Sequence, residues 1–431
     1  MKYYSLNDKS HRVSFEEAVI KGLAPGKALY FPEELPKLPS EFFDKLNNLS
    51  KEEIAFEAIK PFIGTEIDDD SLKKIIQETL DFDFPVVNVT KNINTLELFH
   101  GPTLAFKDVG ARFMAGCLGY FVKKNNLGKI TVLVATSGDT GGAVANGFLG
   151  VDGIDVVILY PKGKVSEIQE KQLTTLGQNI TALEVDGNFD DCQDMVKKAF
   201  SDTEISEKCQ LTSANSINVA RWLPQMFYYF LAYKQLAGKD QKLAFSVPSG
   251  NFGNICAGML AKKMGLPISH FIAANNENDV VTRYLNSEYY EPKESVQTIS
   301  NAMDVGNPSN FVRILELFEH EFSNLSQELS SFSFSDEETR QAIKTVEKET
   351  NYVMDPHGAV GYLGLQEYLK KNPDVVGTFL ETAHPVKFLE TVEEVIEKKI
   401  KIPQKIKETM ARKKEVVEVS NYKDLKTFLL K

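Results

Sequence analysis

Long apolar runs are missing from this sequence of 431 residues. No stretch approaches the roughly 20 apolar residues that a membrane-spanning helix needs, and the first residues lack the apolar core of a signal peptide. The four cysteines form no C-x-x-C pair, and the six histidines show none of the spacings typical of a zinc site. We therefore expect a cytoplasmic protein with reduced thiols and no bound metal.

Positive charge is also scarce. Lysine and arginine total 49 against 60 acidic residues, which gives a net charge of −11, and no basic run is interleaved with aromatics. This balance argues against a nucleic-acid partner. Neither nucleotide fingerprint, G-x-G-x-x-G or G-x-x-x-x-G-K-[ST], occurs. The composition, 42% hydrophobic and 25% charged, is that of an ordinary globular protein.

Apolar runs alternate with helical patterns over most of the chain. A β-branched run at 130–135, a glycine-rich turn, a helical pattern at 140–149 and an apolar run at 155–160 follow one another. The order recurs with a run at 242–247, a helix at 255–264 and a run at 269–274. Such units build parallel sheets, which bind ligands at the carboxyl ends of their strands. We predict two doubly wound α/β domains, over residues 86–240 and 241–431.

Residues 1–85 have a different, acidic character. SFEEAVIKGL predicts a helix that begins after Ser14 and ends at Gly22, and two further helices are predicted around Pro61 and Gly64. We therefore expect a helical N-terminal segment. Residues 310–350 are also expected to be helical, and residues 375–385 to form a late strand followed by a polar loop.

One lysine stands in an unusually apolar setting. Lys107 ends the stretch LELFHGPTLAFK, in which Leu104 and Phe106 flank it, and Asp108 is predicted to begin a helix. Desolvation disfavours a charged ammonium, and a neutral amine can form a Schiff base. The alternative is a lysine that reaches solvent from the start of a helix.

A short glycine-rich turn, GNFGN, lies between a predicted strand and a predicted helix. Gly250 and Gly253 would allow the backbone to approach an anion closely, and the helix N-terminus favours negative charge. The position predicts a phosphate site. An ordinary strand-to-helix turn, in which Asn254 caps the helix, is the alternative.

A second turn, ATSGDTGGA, occupies the equivalent place after the run at 130–135. Its hydroxyls, on Thr136, Ser137 and Thr140, suit a carboxylate or a phosphate together with backbone N–H groups. The alternative is a tight turn in which Asp139 caps the helix, and both interpretations could hold together.

Two further motifs carry polar side chains. Thr382, in ETAHP, follows a predicted strand and could face the pyridine nitrogen of a cofactor. SANSINVAR places amide and hydroxyl groups near Arg221, as an anion site or as a capped helix start. A lysine among apolar neighbours together with a phosphate loop describes a pyridoxal-phosphate site.

Taken together, these motifs resemble the threonine synthase family of fold-type II pyridoxal-phosphate enzymes. The resemblance covers nearly the whole chain and is carried, in order, by SFEEAVIKGLAPGKALYFPEELP, LFHGPTLAFKD, ATSGDTGGAVA, SANSINVARWLPQ, VPSGNFGNICAG, AMDVGNPSNF and ETAHPVKF. It implies two α/β domains of the fold-type II kind and pyridoxal 5'-phosphate as the cofactor. The likeness is to the longer, monomer-like branch, so a monomer is expected rather than a dimer.

Residue by residue, the resemblance makes Lys107 the Schiff-base lysine and the base for most proton transfers, and Thr382 the partner of the pyridine nitrogen. The cofactor phosphate would bind to Gly250, Asn251, Phe252, Gly253 and Asn254. The substrate carboxylate would bind to Thr136, Ser137, Gly138, Asp139 and Thr140. The substrate phosphate would bind to Asn215, Ser216, Asn218 and Arg221, with Arg112, Lys162 and Lys164 as the next basic candidates.

The implied reaction converts O-phospho-L-homoserine and water into L-threonine and phosphate, the last step of threonine biosynthesis. A serine/threonine dehydratase or an O-acetylserine-type β-replacement enzyme of the same fold is the nearest alternative, but neither needs a second phosphate pocket. A non-catalytic, ligand-sensing relative is a further alternative, although such proteins often lose the lysine or the glycine loop.

Overall fold

A computed structural model describes residues 1–236 and 241–431. Its strands are β1 (Lys2–Ser5), β2 (Asp8–Ser14), β3 (Tyr30–Pro32), β4 (Val86–Thr90), β5 (Ile93–Glu97), β6 (Ile130–Ala135), β7 (Ile154–Pro161), β8 (Ile180–Val185), β9 (Gln210–Thr212), β10 (Leu243–Pro248), β11 (His270–Asn275), β12 (Leu329–Ser333), β13 (Val376–Glu381) and β14 (Val417–Val419).

The helices of the first half are α1 (Phe15–Lys21), α2 (Ser40–Lys45), α3 (Lys51–Ile63), α4 (Asp69–Thr79), α5 (Lys107–Lys124), α6 (Asp139–Phe148), α7 (Glu167–Thr174), α8 (Phe189–Ala199), α9 (Thr203–Lys208) and α10 (Val219–Trp222). Those of the second half are α11 (Phe227–Leu236), α12 (Gly253–Lys263), α13 (Val280–Ser287), α14 (Phe311–Leu317), α15 (Phe322–Glu328), α16 (Asp336–Thr350), α17 (Pro356–Lys371), α18 (Leu389–Ile396), α19 (Gln404–Met410) and α20 (Tyr422–Leu429). No helix within the described ranges is long and apolar enough to cross a membrane.

Two sheets with mostly parallel strands form the body of the molecule. The larger has the order β12-β11-β10-β13-β5-β4 and is parallel except for the antiparallel edge pair β4–β5. The smaller, β14-β8-β7-β6-β9, is parallel throughout. Helices pack on these strands, which accounts for the unbroken apolar sequences of β6, β7 and β10. The predicted mixed α/β class with parallel sheets is confirmed.

The two predicted strand–turn–helix–strand units are present. They comprise β6, α6 and β7 in the smaller sheet, and β10, α12 and β11 in the larger one. The sheets do not follow the predicted division of the chain, because β4 and β5 from residues 86–97 join the larger sheet and β14 from the C-terminal part joins the smaller one. Strand β12 also interrupts the region at 310–350 that was expected to be helical.

The N-terminal segment is helical only in part. Helix α1 begins and ends as predicted, with Ser14 accepting a hydrogen bond from the Glu17 N–H and Gly22 at its end. The expectation of an all-helical segment is wrong, because β1, β2 and β3 form an antiparallel sheet. Pro61 does not separate two helices but lies in the last turn of α3, which ends at Gly64.

The arrangement of the strands brings three strand ends and one helix start to one place. The start of α6, which follows β6, contributes to a single cavity together with the end of β10, the residue that follows β13 and the first residue of α5. Carboxyl ends of parallel strands meet at one edge of a sheet, which is where such folds bind ligands. The fold therefore places the sequence motifs together.

Candidate active site

The cavity holds residues from five of the predicted motifs. Its polar and glycine lining consists of Lys107, Gly110, Thr140, Ser216, Arg221, Gln225, Ser249, Gly250, Asn251, Gly253, Asn254, His357 and Thr382. Its remaining walls are Phe106, Pro248, Phe252, Ile255, Ala302 and Met303. The lining thus combines apolar walls with a few convergent polar groups, as in most small-molecule sites.

Lys107 is placed by the segment that precedes α5. The Phe106 N–H donates to the Thr382 carbonyl at 2.8 Å, and the Tyr228 hydroxyl donates to the Phe106 carbonyl at 2.5 Å. Ala105 and Ala383 form an isolated antiparallel bridge alongside. These contacts join the lysine's segment to the end of β13, so that Lys107 and Thr382 line the same cavity.

The half-buried Lys107 side chain has a lowered pKa. Burial is the main cause and lowers the pKa of Lys107 to about 8, since removing water disfavours the charged ammonium. The positive charges of Arg221 and Lys387 lower this pKa as well, while the Asp139 carboxylate opposes them. At pH 7 about a tenth of the amine is then neutral, far more than for a lysine with an ordinary pKa. The alternative of an ordinary lysine that reaches solvent from a helix start does not describe this position.

The glycine-rich turn after β10 forms a backbone cradle. A Cβ atom on Gly250 would lie 2.8 Å from Met303 Cα and 2.9 Å from the Ala302 carbonyl oxygen, so a larger side chain would displace the backbone opposite. Phe252 has φ of 60°, a left-handed conformation that aims the chain into α12. Helix α12 begins at Gly253, and its first N–H groups lie at the cavity.

Asn251 and Asn254 both line this cradle. The Asn254 Oδ1 atom accepts from the Tyr229 hydroxyl at 2.8 Å, whereas its buried Nδ2 atom has no hydrogen-bond partner in the part of the chain that the structure describes. Asn251 Oδ1 accepts from the Ser309 hydroxyl at 3.0 Å. Asn254 does not cap α12, so the alternative interpretation of this motif as a simple capped turn is wrong. A buried donor without a partner suits an anionic ligand.

Of the five residues of the ATSGDTGGA motif that were predicted to bind a substrate carboxylate, one lines the cavity. Thr140 does so, whereas the Thr136 hydroxyl stabilises the loop itself by accepting from the N–H groups of Gly138 at 3.0 Å and Gly141 at 2.9 Å. Ser137, Gly138 and Asp139 are not part of the lining. The proposed contact of these residues with a substrate carboxylate stays a prediction.

Asp139 has a role that the sequence did not reveal. It does not cap α6, whose N-cap residue is Gly138 and which has no side-chain capping hydrogen bond. Instead, the Asp139 carboxylate lies 2.6 Å from the ammonium of the buried Lys387. Burial by itself would raise the pKa of Asp139, but Lys387, Lys107 and hydrogen bonds from Lys387 and Gln169 hold it well below its usual range. The carboxylate is therefore charged inside the protein.

The SANSINVAR motif splits between the cavity and the framework. Ser216 and Arg221 line the cavity, whereas Asn215 and Asn218 do not. Asn218 caps α10 and donates to the Val19 carbonyl at 2.9 Å. The prediction that Asn218 reaches a ligand is therefore wrong, because its side chain is fully engaged elsewhere.

Arg221 is a buried cation beside Lys107. It is 3% exposed, donates from Nη1 to the Ala214 carbonyl, and has no hydrogen-bond partner at Nε among residues 1–236 and 241–431. Among the described residues, no carboxylate lies within ion-pair distance of it. Burial lowers the pKa of Arg221 to about 10, and the guanidinium is still charged at neutral pH. An unpaired buried cation that lines a cavity is suited to an anion.

The three alternative basic residues lie elsewhere. Arg112 pairs with Asp81 at 2.8 Å, Lys162 pairs with Glu418 at 3.0 Å, and neither they nor Lys164 line the cavity. They are therefore not suited to hold a ligand beside Lys107.

His357 is a cavity residue that sequence reasoning missed. Its Nδ1 atom lies 2.5 Å from the buried Asp355 carboxylate, and its Nε2 atom accepts from the Ala302 N–H at 3.2 Å. These partners hold the ring in the form that carries its proton on Nδ1, and they position the Ala302–Met303 backbone against Gly250. The sequence Asp355-Pro-His gave no recognisable signal, because the hydrogen bond that His357 accepts comes from the Ala302 N–H, which lies far from it along the chain.

The parallel sheets, the lysine with a lowered pKa and the glycine cradle at a helix start define a pyridoxal-phosphate enzyme of fold type II. The family model described as pyridoxal-phosphate dependent enzyme matches residues 95–380. Models described as threonine synthase N terminus and threonine synthase, C-terminal match residues 2–80 and 358–429. The chain belongs to the threonine synthase family.

Individual relatives support this assignment. The chain is 45% identical to threonine synthase of Escherichia coli over 409 residues, covering 95% of this chain and 94% of the relative. It is 38% identical to that of Saccharomyces cerevisiae over 472 residues, covering 94% and 92%.

Solved structures agree with the sequence comparisons. The E. coli threonine synthase structure has a TM-score of 0.93 at 43% identity, covering 100% of this chain and 99% of the other. A pyridoxal-phosphate-bound threonine synthase from Brucella melitensis has a TM-score of 0.94 at 36% identity, with the same coverage. Maize serine racemase, at 15% identity and a TM-score of 0.56, shares only the fold.

Proposed function

We propose that this protein converts O-phospho-L-homoserine and water into L-threonine and phosphate, as a carbon–oxygen lyase that completes threonine biosynthesis. Membership in the threonine synthase family supports the reaction. The observation that carries the choice of substrate is Arg221, a buried cation without a carboxylate partner in the described chain, in the same cavity as Lys107. Arg221 belongs to α10, a different element from the glycine cradle after β10, and we assign it to the phosphate of the substrate.

The residues after β10 fit the phosphate of pyridoxal 5'-phosphate. Gly250 permits close approach, the start of α12 offers free N–H groups, and Asn254 Nδ2 is a buried donor without a partner in the described ranges. When bound, the cofactor supplies an electron sink for charge that develops at the substrate α carbon. The Thr382 hydroxyl would face the ring nitrogen. A hydroxyl does not stabilise the protonated form of that nitrogen as a carboxylate would.

We assign to Lys107 both the covalent attachment of the cofactor and the transfer of protons. Its lowered pKa makes the neutral, nucleophilic amine accessible near neutral pH. Once displaced by the substrate amine, Lys107 takes the α proton and then a β proton, and phosphate leaves from the γ carbon. It returns protons to the γ and α carbons, and water adds at the β carbon. No other amine lines the cavity within the described ranges.

Substrate anions would be held by residues on α6, on α10 and in the segment before α10. Arg221 would form a charge-assisted contact with the substrate phosphate, and the Ser216 hydroxyl could donate to it, because Ser216 Oγ accepts from Asn310 Nδ2 at 3.2 Å. Thr140 and the backbone of its loop are our candidates for the substrate carboxylate. Asn215, which precedes Ser216 and does not line the cavity, would support Ser216 rather than contact the substrate.

A two-product assay tests the proposed function. The purified protein, loaded with pyridoxal phosphate, should release phosphate from O-phospho-L-homoserine and form threonine in equal amounts, and should release little ammonia from threonine. Ammonia release that exceeds phosphate release would support the dehydratase alternative. Lys107→Ala is the matched control for contaminating activity.

Two further properties belong to the same proposal. We infer a monomer, which sedimentation velocity would test against a dimer. We keep the cytoplasm as the proposed location, because the sequence pattern of its four cysteines suits reduced thiols.

A further inference from the structure

A buried ion pair, between Lys387 and Asp139, adjoins the cavity residue Thr140 in the chain. Lys387, in the short turn after β13, is 1% exposed, and its ammonium lies 2.6 Å from Asp139 Oδ1. Lys387 also donates to the Thr103 carbonyl at 2.9 Å. A buried pair of this kind rarely adds stability compared with well-packed apolar groups, because both ions lose their water. Its presence therefore invites a functional explanation.

The pair joins three segments that shape the cavity. Asp139 is the first residue of α6, directly before the cavity residue Thr140, and it accepts a second hydrogen bond from Gln169 at 2.9 Å. Thr103 lies four residues before Lys107 and binds Asp108 through both its N–H, at 2.9 Å, and its hydroxyl, at 2.5 Å. Lys387 thus connects the loop after β6 to the segment that positions Lys107.

The charges around Lys107 explain what the pair does electrostatically. The Asp139 carboxylate favours the charged form of Lys107, whereas Lys387 and Arg221 disfavour it. Asp108, the next residue, directs its oxygens to Thr103, and His357 on α17 is held by Asp355. The partner of the Asp139 carboxylate therefore affects the protonation of Lys107. Without Lys387, the remaining cation among these groups that acts on Asp139 would be Lys107.

We propose that Lys387 is a positioning residue for the reactive lysine: by pairing with Asp139 it prevents that carboxylate from pairing with Lys107, and it fastens the loop after β6 to the segment before α5. The inference rests on the proposed function only in taking Lys107 as the reactive amine. It predicts that the two members of the pair act on Lys107 in opposite directions, which a purely structural pair would not do.

Competitive acetylation tests this directly. Protein freed of cofactor is labelled with a trace of acetic anhydride over a pH series, and the acetylated peptide that contains Lys107 is measured by mass spectrometry. Lys387→Met should raise the pKa of Lys107 by about one pH unit, because an unpaired carboxylate nearby favours the ammonium. Asp139→Asn should lower that pKa, and the double variant should restore it to near the wild-type value.

Two controls separate this effect from general damage. Lys164→Met removes an exposed lysine outside the cavity and should leave the titration of Lys107 unchanged. Lys387→Arg retains the positive charge and should not raise the pKa of Lys107. If Lys387→Met does not fold, Asp139→Asn and the double variant still test the inference. The pKa of Lys107 must fall in Asp139→Asn and return to near the wild-type value in the double variant.

Shifts of the same sign in both single variants, or no shift in either, would overturn the inference. The labelling uses neither substrate nor cofactor. A negative result here would therefore leave the proposed reaction intact, and a negative turnover assay would not affect the titration.

Discussion

Replacing Arg221 by methionine would remove the buried cation that we assign to the substrate phosphate. Methionine is close to arginine in length and leaves little empty space. In the wild-type protein this guanidinium donates to the Ala214 carbonyl, and its Nε atom lacks a partner within the described residues. The substitution therefore removes one internal hydrogen bond and one charge that faces the cavity.

The size of the expected effect follows from these contacts. A hydrogen bond to a charged group contributes about 1.5–3 kcal/mol, so kcat/KM for O-phospho-L-homoserine should fall by about tenfold to about 150-fold. The lost bond to Ala214 should lower the free energy of unfolding by about 1 kcal/mol. Cofactor affinity should be unchanged, because the cofactor phosphate is assigned to the loop after β10.

Steady-state kinetics, phosphate inhibition and a melting curve together decide the matter. Inorganic phosphate should inhibit Arg221→Met less than the wild type, because the product occupies the same site. Arg112→Met is the matched control, since Arg112 also lies near the start of the α5 region but outside the cavity, and it should retain normal kinetics. Near-normal kinetics of Arg221→Met with a lowered melting temperature would refute the assignment.

Three other predictions test the lysine and the cradle. Lys107→Ala should abolish turnover while preserving the circular dichroism spectrum, and activity within about tenfold of wild type would contradict its role. Gly250→Val should weaken cofactor binding in a fluorescence titration more than Gly253→Val, because a Cβ atom would lie 2.8 Å from Met303 Cα in the first case and 3.3 Å from Asn310 Nδ2 in the second. Unchanged cofactor affinity in both variants would place the phosphate elsewhere. The rate at which cofactor-free protein captures pyridoxal phosphate should rise with pH and level off above about 8, because only the neutral Lys107 amine reacts, and stopped-flow absorbance would reveal a flat profile if this is wrong.

Local patterns predicted the parts of the site that depend on neighbours in the chain. The strands before both glycine-rich turns, the helices after them and the start of α1 at Ser14 were all predicted correctly. The apolar stretch around Lys107 indicated a desolvated amine, in agreement with its lowered pKa. These features are local because hydrophobic period, glycine content and helix caps act over a few residues.

Pairing between distant segments could not be predicted in this way. Strands β1 and β3 are short, and β2 carries several charged residues. Their sheet is stabilised by burial of the Tyr3 and Phe31 rings, which pack on Phe15 of α1 and on Trp222 of α10. The membership of β4 and β5 in the larger sheet likewise depends on β13, which comes almost 300 residues later.

Local patterns specify the class of site: a lysine among apolar neighbours, two glycine-rich turns at strand ends and the order of motifs typical of the threonine synthase family. Which side chains of those motifs face the cavity depends on how distant segments pack. That packing turned Asn218 to the framework, left Arg221 without a carboxylate partner in the described chain, and brought Lys387 to the Thr103 carbonyl, 284 positions away. Hydrogen bonds and interactions between buried charges depend on distances in space, and the order of residues along the chain does not give those distances.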